Sequence, residues 1–230
     1  MRMKEKSTST KRTWRRELSE WGIIIAVGLI LYIGGWHTEV IGFAQRILLS
    51  THIIQPKITD ADIQNYDDLA ANFEQADYNF YLSDELGAPV SLADFKGKTI
   101  FMNYWATWCP PCIAEMPNIQ ALYEDMTRTA ETKEQVVFMM VSLDEDPKKA
   151  LAFIERKGYS MPVYFPRSRK PLIYDTSVVP TTYVINSDGY IVMKKRGMAQ
   201  YNSQRFKDFL RNASDYSMDP ESLLDKKAVH

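Results

Sequence analysis

Two thiols are the residues of this chain best suited to chemistry. Cys109 and Cys112 are its only cysteines, and they share the stretch NYWATWCPPCIAEMP, residues 103–117. A pair at this spacing can hold a metal, form an inert brace or exchange electrons. A structural zinc site usually needs four Cys or His ligands. The histidines are His37, His52 and His230, all outside the part of the chain that reads as globular. Haem attachment requires a histidine directly after the second cysteine, and Ile113 stands there. A copper carrier would want a distal histidine inside the domain, and none exists. A structural disulfide closing so short a loop would constrain the unfolded chain little. Thiol–disulfide exchange is what remains, with neither metal nor cofactor.

Such a pair must be held at a defined place on a scaffold. TIFMNYW, residues 99–105, is a continuous apolar run of the kind that forms a buried strand. Residues 110–127 then read as a helix, with Ile113, Met116, Ile119 or Gln120, Tyr123 and Met126 near one face. Cys109 falls at the junction, where the unpaired N–H groups and dipole of a helix start favour a thiolate. Cys112, one turn further, is placed to resolve a mixed disulfide. Pro110 and Pro111 cost the first turn little, because its N–H groups have no intrahelical partner. Pro117 lies deeper and should kink the helix.

The same alternation continues. Residues 78–82 and 89–92 read as short strands around the turn SDELGAP. QVVFMMVSL, 135–143, is a second buried strand, and 147–158 a helix with Pro at its start and Gly at its end. TTYVI, NSDG and YIVMKKRG, 181–197, read as a hairpin, and 203–212 as a closing helix. This pattern is that of an α/β domain with a mixed sheet. The expected organisation is a basic tail at 1–20, a transmembrane signal-anchor helix at 21–41 and an amphipathic segment and linker at 42–72. One globular domain follows at 73–212, then a polar tail at 213–230.

The N-terminal assignment rests on charge and apolarity. Residues 2–16 carry seven Lys/Arg, followed by the uncharged run WGIIIAVGLILYIGGW with Trp21 and Trp36 at its ends. Sixteen residues of helix span about 24 Å, somewhat short of a ~30 Å hydrocarbon core. Local thinning or continuation of the helix absorbs the difference. A cleaved signal peptide begins in the same way, but the sequence shows no small-x-small cleavage site after the run, so an uncleaved anchor is expected. The positive-inside rule then puts the N-terminus in the cytoplasm and the catalytic domain outside a bacterial inner membrane. A net charge of −1 offers no basic surface for nucleic acid.

WCPPC after an apolar strand, Pro117 five residues past Cys112 and a distant VPTTYVI resemble a thioredoxin fold. With FYLSDELGAPVSLADFKGK as a leading β-hairpin, WATWCPPC and VPTTYVINSDGYIV, residues 73–212 are similar to the membrane-tethered bacterial thiol–disulfide reductases of the TlpA/ResA type. The resemblance implies a mixed central sheet flanked by helices. It also implies that Pro180 is a cis-proline facing the cysteines, exposing the Val179 backbone to an extended substrate. Read alone, Pro180 is equally an ordinary turn proline before a strand. Trp108 and Pro110 would join Val179 and Pro180 in a substrate platform, whereas Trp105, inside the strand, reads as core.

Cytosolic thioredoxins carry a buried aspartate six residues before the first cysteine, and here that position is Asn103. Glu115, three residues beyond Cys112 on the same helix face, can replace it as acceptor of the Cys112 proton. The plainer reading is a solvated Glu in a helix first turn. The function expected is reduction of disulfides in envelope client proteins, cytochrome c maturation among them, fed by a membrane electron donor. Two rivals stand beside it. A thiol peroxidase would carry P-x-x-x-T-x-x-C, but Ala106 fills the Thr position. A non-catalytic binding module with the same fold would not need both cysteines.

Overall fold

The computed structural model describes residues 21–23, 25–27 and 74–213. The expected anchor and linker, 21–41 and 42–72, lie almost wholly outside the described residues. Residues 21–23 and 25–27 are helical. Among the described residues, no helix is long and apolar enough to cross a membrane.

Strand β3 (Thr99–Trp105) is buried at every position, as its unbroken apolar run requires. It pairs in parallel with β4 (Val136–Ser142), joined through helix α1 (Pro110–Met126) and the short helix α2 (Ala130–Gln135). Helix α3 (Pro147–Lys157) connects β4 to β5 (Val163–Pro166), again parallel. On the other side of β3 lies the antiparallel hairpin of β6 (Thr181–Ile185) and β7 (Ile191–Arg196), followed by helix α4 (Gln204–Arg211). A leading hairpin, β1 (Tyr81–Ser83) and β2 (Pro89–Ser91), adds to the far edge through β5. The result is one seven-stranded mixed sheet in the order β2-β1-β5-β4-β3-β6-β7.

Alternation along β3 divides the interior. Phe101 and Trp105 join a cluster built with Met116 and Ile119 of α1, Phe153 of α3 and Phe206 of α4. Ile100, Met102 and Tyr104 point the other way, to a cluster with Phe80, Leu92, Tyr174 and Tyr183. The helices α1, α3 and α4 therefore bury their side chains on one face. Short 3-10 segments, Leu92–Phe95 and Leu172–Tyr174, contribute to the other. The crossovers β3-α1-β4 and β4-α3-β5 step in the same direction along the sheet. Parallel crossovers share one hand, so both helices land on the same face.

The element ends follow local chemistry. Asp146 caps α3 by accepting from the Lys148 N–H at 3.0 Å, and Gly158 ends it in the left-handed region at φ 66°. That conformation suits a residue without Cβ. The first hairpin strand begins at Tyr81, later than the pattern at 78–82 suggests, with the Leu92 N–H on the Phe80 carbonyl at 2.9 Å just outside it, in the same register. Beyond β7, residues 74–76 cover the sheet edge, with the Ala76 N–H on the Gly189 carbonyl at 2.8 Å and the Ile191 N–H on that of Glu74 at 3.0 Å.

Candidate active site

The site forms where β3 ends. Leaving Trp105, the chain makes a tight turn in which the Cys109 N–H reaches the Ala106 carbonyl at 3.2 Å. Cys109 is then the N-cap of α1, with extended backbone at φ −102° and ψ 99°. Its Sγ accepts from the Cys112 N–H at 3.3 Å, the position a capping oxygen takes in other helices. Pro110 and Pro111 occupy the first turn without loss, and α1 runs on through Pro117. The two cysteines form a disulfide, so this is the oxidised state. Both cysteines are buried, Cys109 with 3 % of its surface exposed and Cys112 with none.

Val179 and Pro180 are joined by a cis peptide bond. Pairing of Thr181 with Tyr104 brings this loop to the end of β3 from which the cysteine turn departs, and Val179 packs against the cluster that holds both cysteines. The loop is braced internally. The Val178 carbonyl accepts from Thr176 Oγ1 at 2.9 Å and Thr181 Oγ1 at 2.6 Å, while the Val178 N–H donates to Thr176 Oγ1 at 3.1 Å. Trp108 stands beside the pair and is 57 % exposed, whereas Trp105 is buried against Phe153 with ring centroids 5.7 Å apart.

Glu115 is 1 % exposed, so it is not the solvated helix-start residue its position allows. Its Oε1 accepts from Asn103 Nδ2 at 2.9 Å and its Oε2 from the Ala199 N–H at 3.2 Å. Burial outweighs these two bonds, which favour the charged form, and pushes its pKa up to about 8 from an ordinary 4.5. Asn103 Nδ2 also donates to Thr182 Oγ1 at 2.9 Å, which receives the Tyr201 hydroxyl at 2.7 Å. Asn118, one turn along α1 from Glu115, accepts from the Tyr201 and Asn202 N–H groups and so ties the loop after β7 to the helix.

Thus the structure brings Cys109, Cys112 and Glu115 onto one helix start, with Asn103 beneath them and the Val179–Pro180 loop at the same end of the sheet. Sequence reasoning missed Thr182, Ala199 and Tyr201. For Thr182 a signal existed, since strand alternation in TTYVI places it on the α1 face with Val184. The loop after β7 carried none, because Ala199 contributes only a backbone N–H.

A buried strand, an N-cap cysteine paired one turn into the helix and a cis-proline loop at the same end of the sheet are the parts of a thioredoxin-like thiol–disulfide oxidoreductase. The profile of the Redoxin family matches residues 67–208, more than half of the sequence, and the chain belongs to that family. It is 34 % identical over 146 residues to the thiol-disulfide oxidoreductase ResA of Halalkalibacterium halodurans, a match covering 62 % of this chain and 79 % of that protein. It is 35 % identical over 115 residues to the Bacillus subtilis protein of the same name, covering 50 % of this chain and 62 % of that one. The chain therefore spans somewhat less than two thirds of the latter relative. Among solved structures, StoA from Bacillus subtilis is 24 % identical over 56 % of this chain and 94 % of its own, with a TM-score of 0.45.

Proposed function

We propose that this oxidoreductase acts as a reductant of disulfides in extracytoplasmic client proteins while tethered to the membrane by residues 21–41. The observation that carries the reading is the pairing of Cys109 at a helix N-cap with a fully buried Cys112 and a buried carboxyl, Glu115. In the reduced protein the Cys109 thiolate attacks one sulfur of the client disulfide. The other client sulfur leaves as a thiolate and takes a proton. Cys112 then gives its proton to the ionised form of Glu115, whose share grows as pH approaches about 8, and attacks Cys109 Sγ, releasing the second client sulfur as a thiolate that takes a proton from water. Two electrons pass to the client, and the chain is left with the Cys109–Cys112 disulfide. A dithiol donor at the membrane must reduce it again.

Trp108, Pro110, Val179 and Pro180 form the platform for the client strand, with Val179 offering backbone groups for strand addition. Two features favour reduction over oxidation. Strong oxidants stabilise their reduced form with a donor between the cysteines, and Pro-Pro supplies none. Reduction outside the cytoplasm also fits clients whose thiols must be free, such as apocytochrome c before haem attachment. Insulin reduction with dithiothreitol tests the core of this reading. The full chain should accelerate precipitation of the insulin B chain, and the C109S variant should not. No acceleration by the intact protein would leave a binding module as the better description.

A further inference from the structure

The turn that carries Cys109 is clamped from the neighbouring strand. At the end of β4, Asp144 is 8 % exposed and accepts three hydrogen bonds. Its Oδ1 takes the Thr107 hydroxyl at 2.6 Å, and its Oδ2 takes the Thr107 N–H at 3.0 Å and the Ser142 hydroxyl at 3.0 Å. The Leu143 N–H, next to it, donates to the Trp105 carbonyl at 2.8 Å. The chain is thereby fixed on both sides of Ala106, whose carbonyl receives the Cys109 N–H. Charge-assisted bonds of this kind are short and strong, and a carboxylate with three donors is well satisfied where it lies.

We propose that Asp144 is a positioning residue for thiol–disulfide exchange, acting through Thr107 to hold the turn that sets Cys109 Sγ against the Cys112 N–H at the start of α1. That N–H and the positive end of the helix dipole support the thiolate, so the clamp stabilises the reduced protein relative to the disulfide. Losing it disfavours the reduced form and makes the pair a stronger reductant. A purely electrostatic role gives the opposite sign. A carboxylate that acts only through its charge repels a nearby thiolate, and its removal would stabilise the reduced form.

The test is the dithiol/disulfide equilibrium of the full chain against dithiothreitol redox buffers, read by thiol alkylation. It needs no client and no Glu115, so it stands or falls independently of the proposed physiological role. D144A should shift the equilibrium constant toward the disulfide by roughly fivefold, the size of one hydrogen bond's support. T107V keeps the charge and nearly the shape at a half-buried site, and it should shift the constant the same way. Together the two changes should add little beyond either alone, since both break one clamp. Lower thermal stability with an unmoved equilibrium in both variants would overturn the proposal. So would a shift toward the dithiol in D144A.

Discussion

Burial sets Glu115 apart from an ordinary surface carboxyl. Its pKa near 8 leaves the folded protein holding a proton that the unfolded chain has already lost above about 4.5. The sign follows from proton counts. Stability from this group is fully present below the unfolded value and is lost as pH rises through that window. Denaturant midpoints of the oxidised protein should therefore fall between pH 4.5 and 8, and E115Q should flatten the fall. The same variant should slow resolution of the mixed disulfide by roughly a hundredfold, the low end for a lost general acid–base group, as stopped-flow quenching would read. Unchanged resolution at every pH would remove Glu115 from the chemistry. The carboxyl's place on the cysteine face was legible from its spacing to Cys112. Its burial was not, because the groups that enclose it, Asn103, Thr182 and Ala199, come from three elements that meet only in the fold.

The elements divide by how locally they are specified. Strand β3, helix α1, helix α3 and the β6-β7 hairpin are written in short-range patterns: unbroken apolar runs, Pro at a first turn, Gly at a helix end, Asp-Gly in a turn. Strand β5 was not legible, since VYFP is four residues long and pairs with both β4 and β1. Its signal lies in those partners. Asn118 likewise looks like a plain helix residue until its carboxamide holds the backbone N–H groups of Tyr201 and Asn202. N118A should leave both half-buried donors without their partner and cost roughly 1–3 kcal/mol in urea unfolding. It should also loosen the loop that supplies the Ala199 N–H to Glu115. At the end of α3, G158A forces a Cβ into φ 66° and should cost about 1 kcal/mol, although no neighbour obstructs it. Retained stability in N118A would show that the loop holds without the helix.

At the scale of the whole molecule, the charge pattern and the site answer different questions. The basic and then apolar N-terminal sequence motivates the proposed membrane tether. The fold says what the domain can do there. Full-length chain should sediment with membranes and be released only by detergent, and deletion of residues 21–41 should make it soluble without abolishing insulin reduction. The expected mixed sheet with a leading hairpin is present. Its α-helical cover lies on one face, since the return from β5 to β6 crosses the other face as 3-10 and irregular chain. That arrangement leaves the cysteine turn at one end of the sheet, reached by the cis-proline loop and by the exposed Trp108.

In the proposed reaction Cys109 attacks a client disulfide and Cys112 resolves the complex. Expression of the full-length C112S variant in its own cells, followed by acid quenching and non-reducing separation, reads it most directly. Covalent adducts through Cys109 should accumulate, dissolve on reduction and vanish when Cys109 is also changed to Ser. Recovery of no adduct from C112S, with the protein folded and in the membrane, would contradict it.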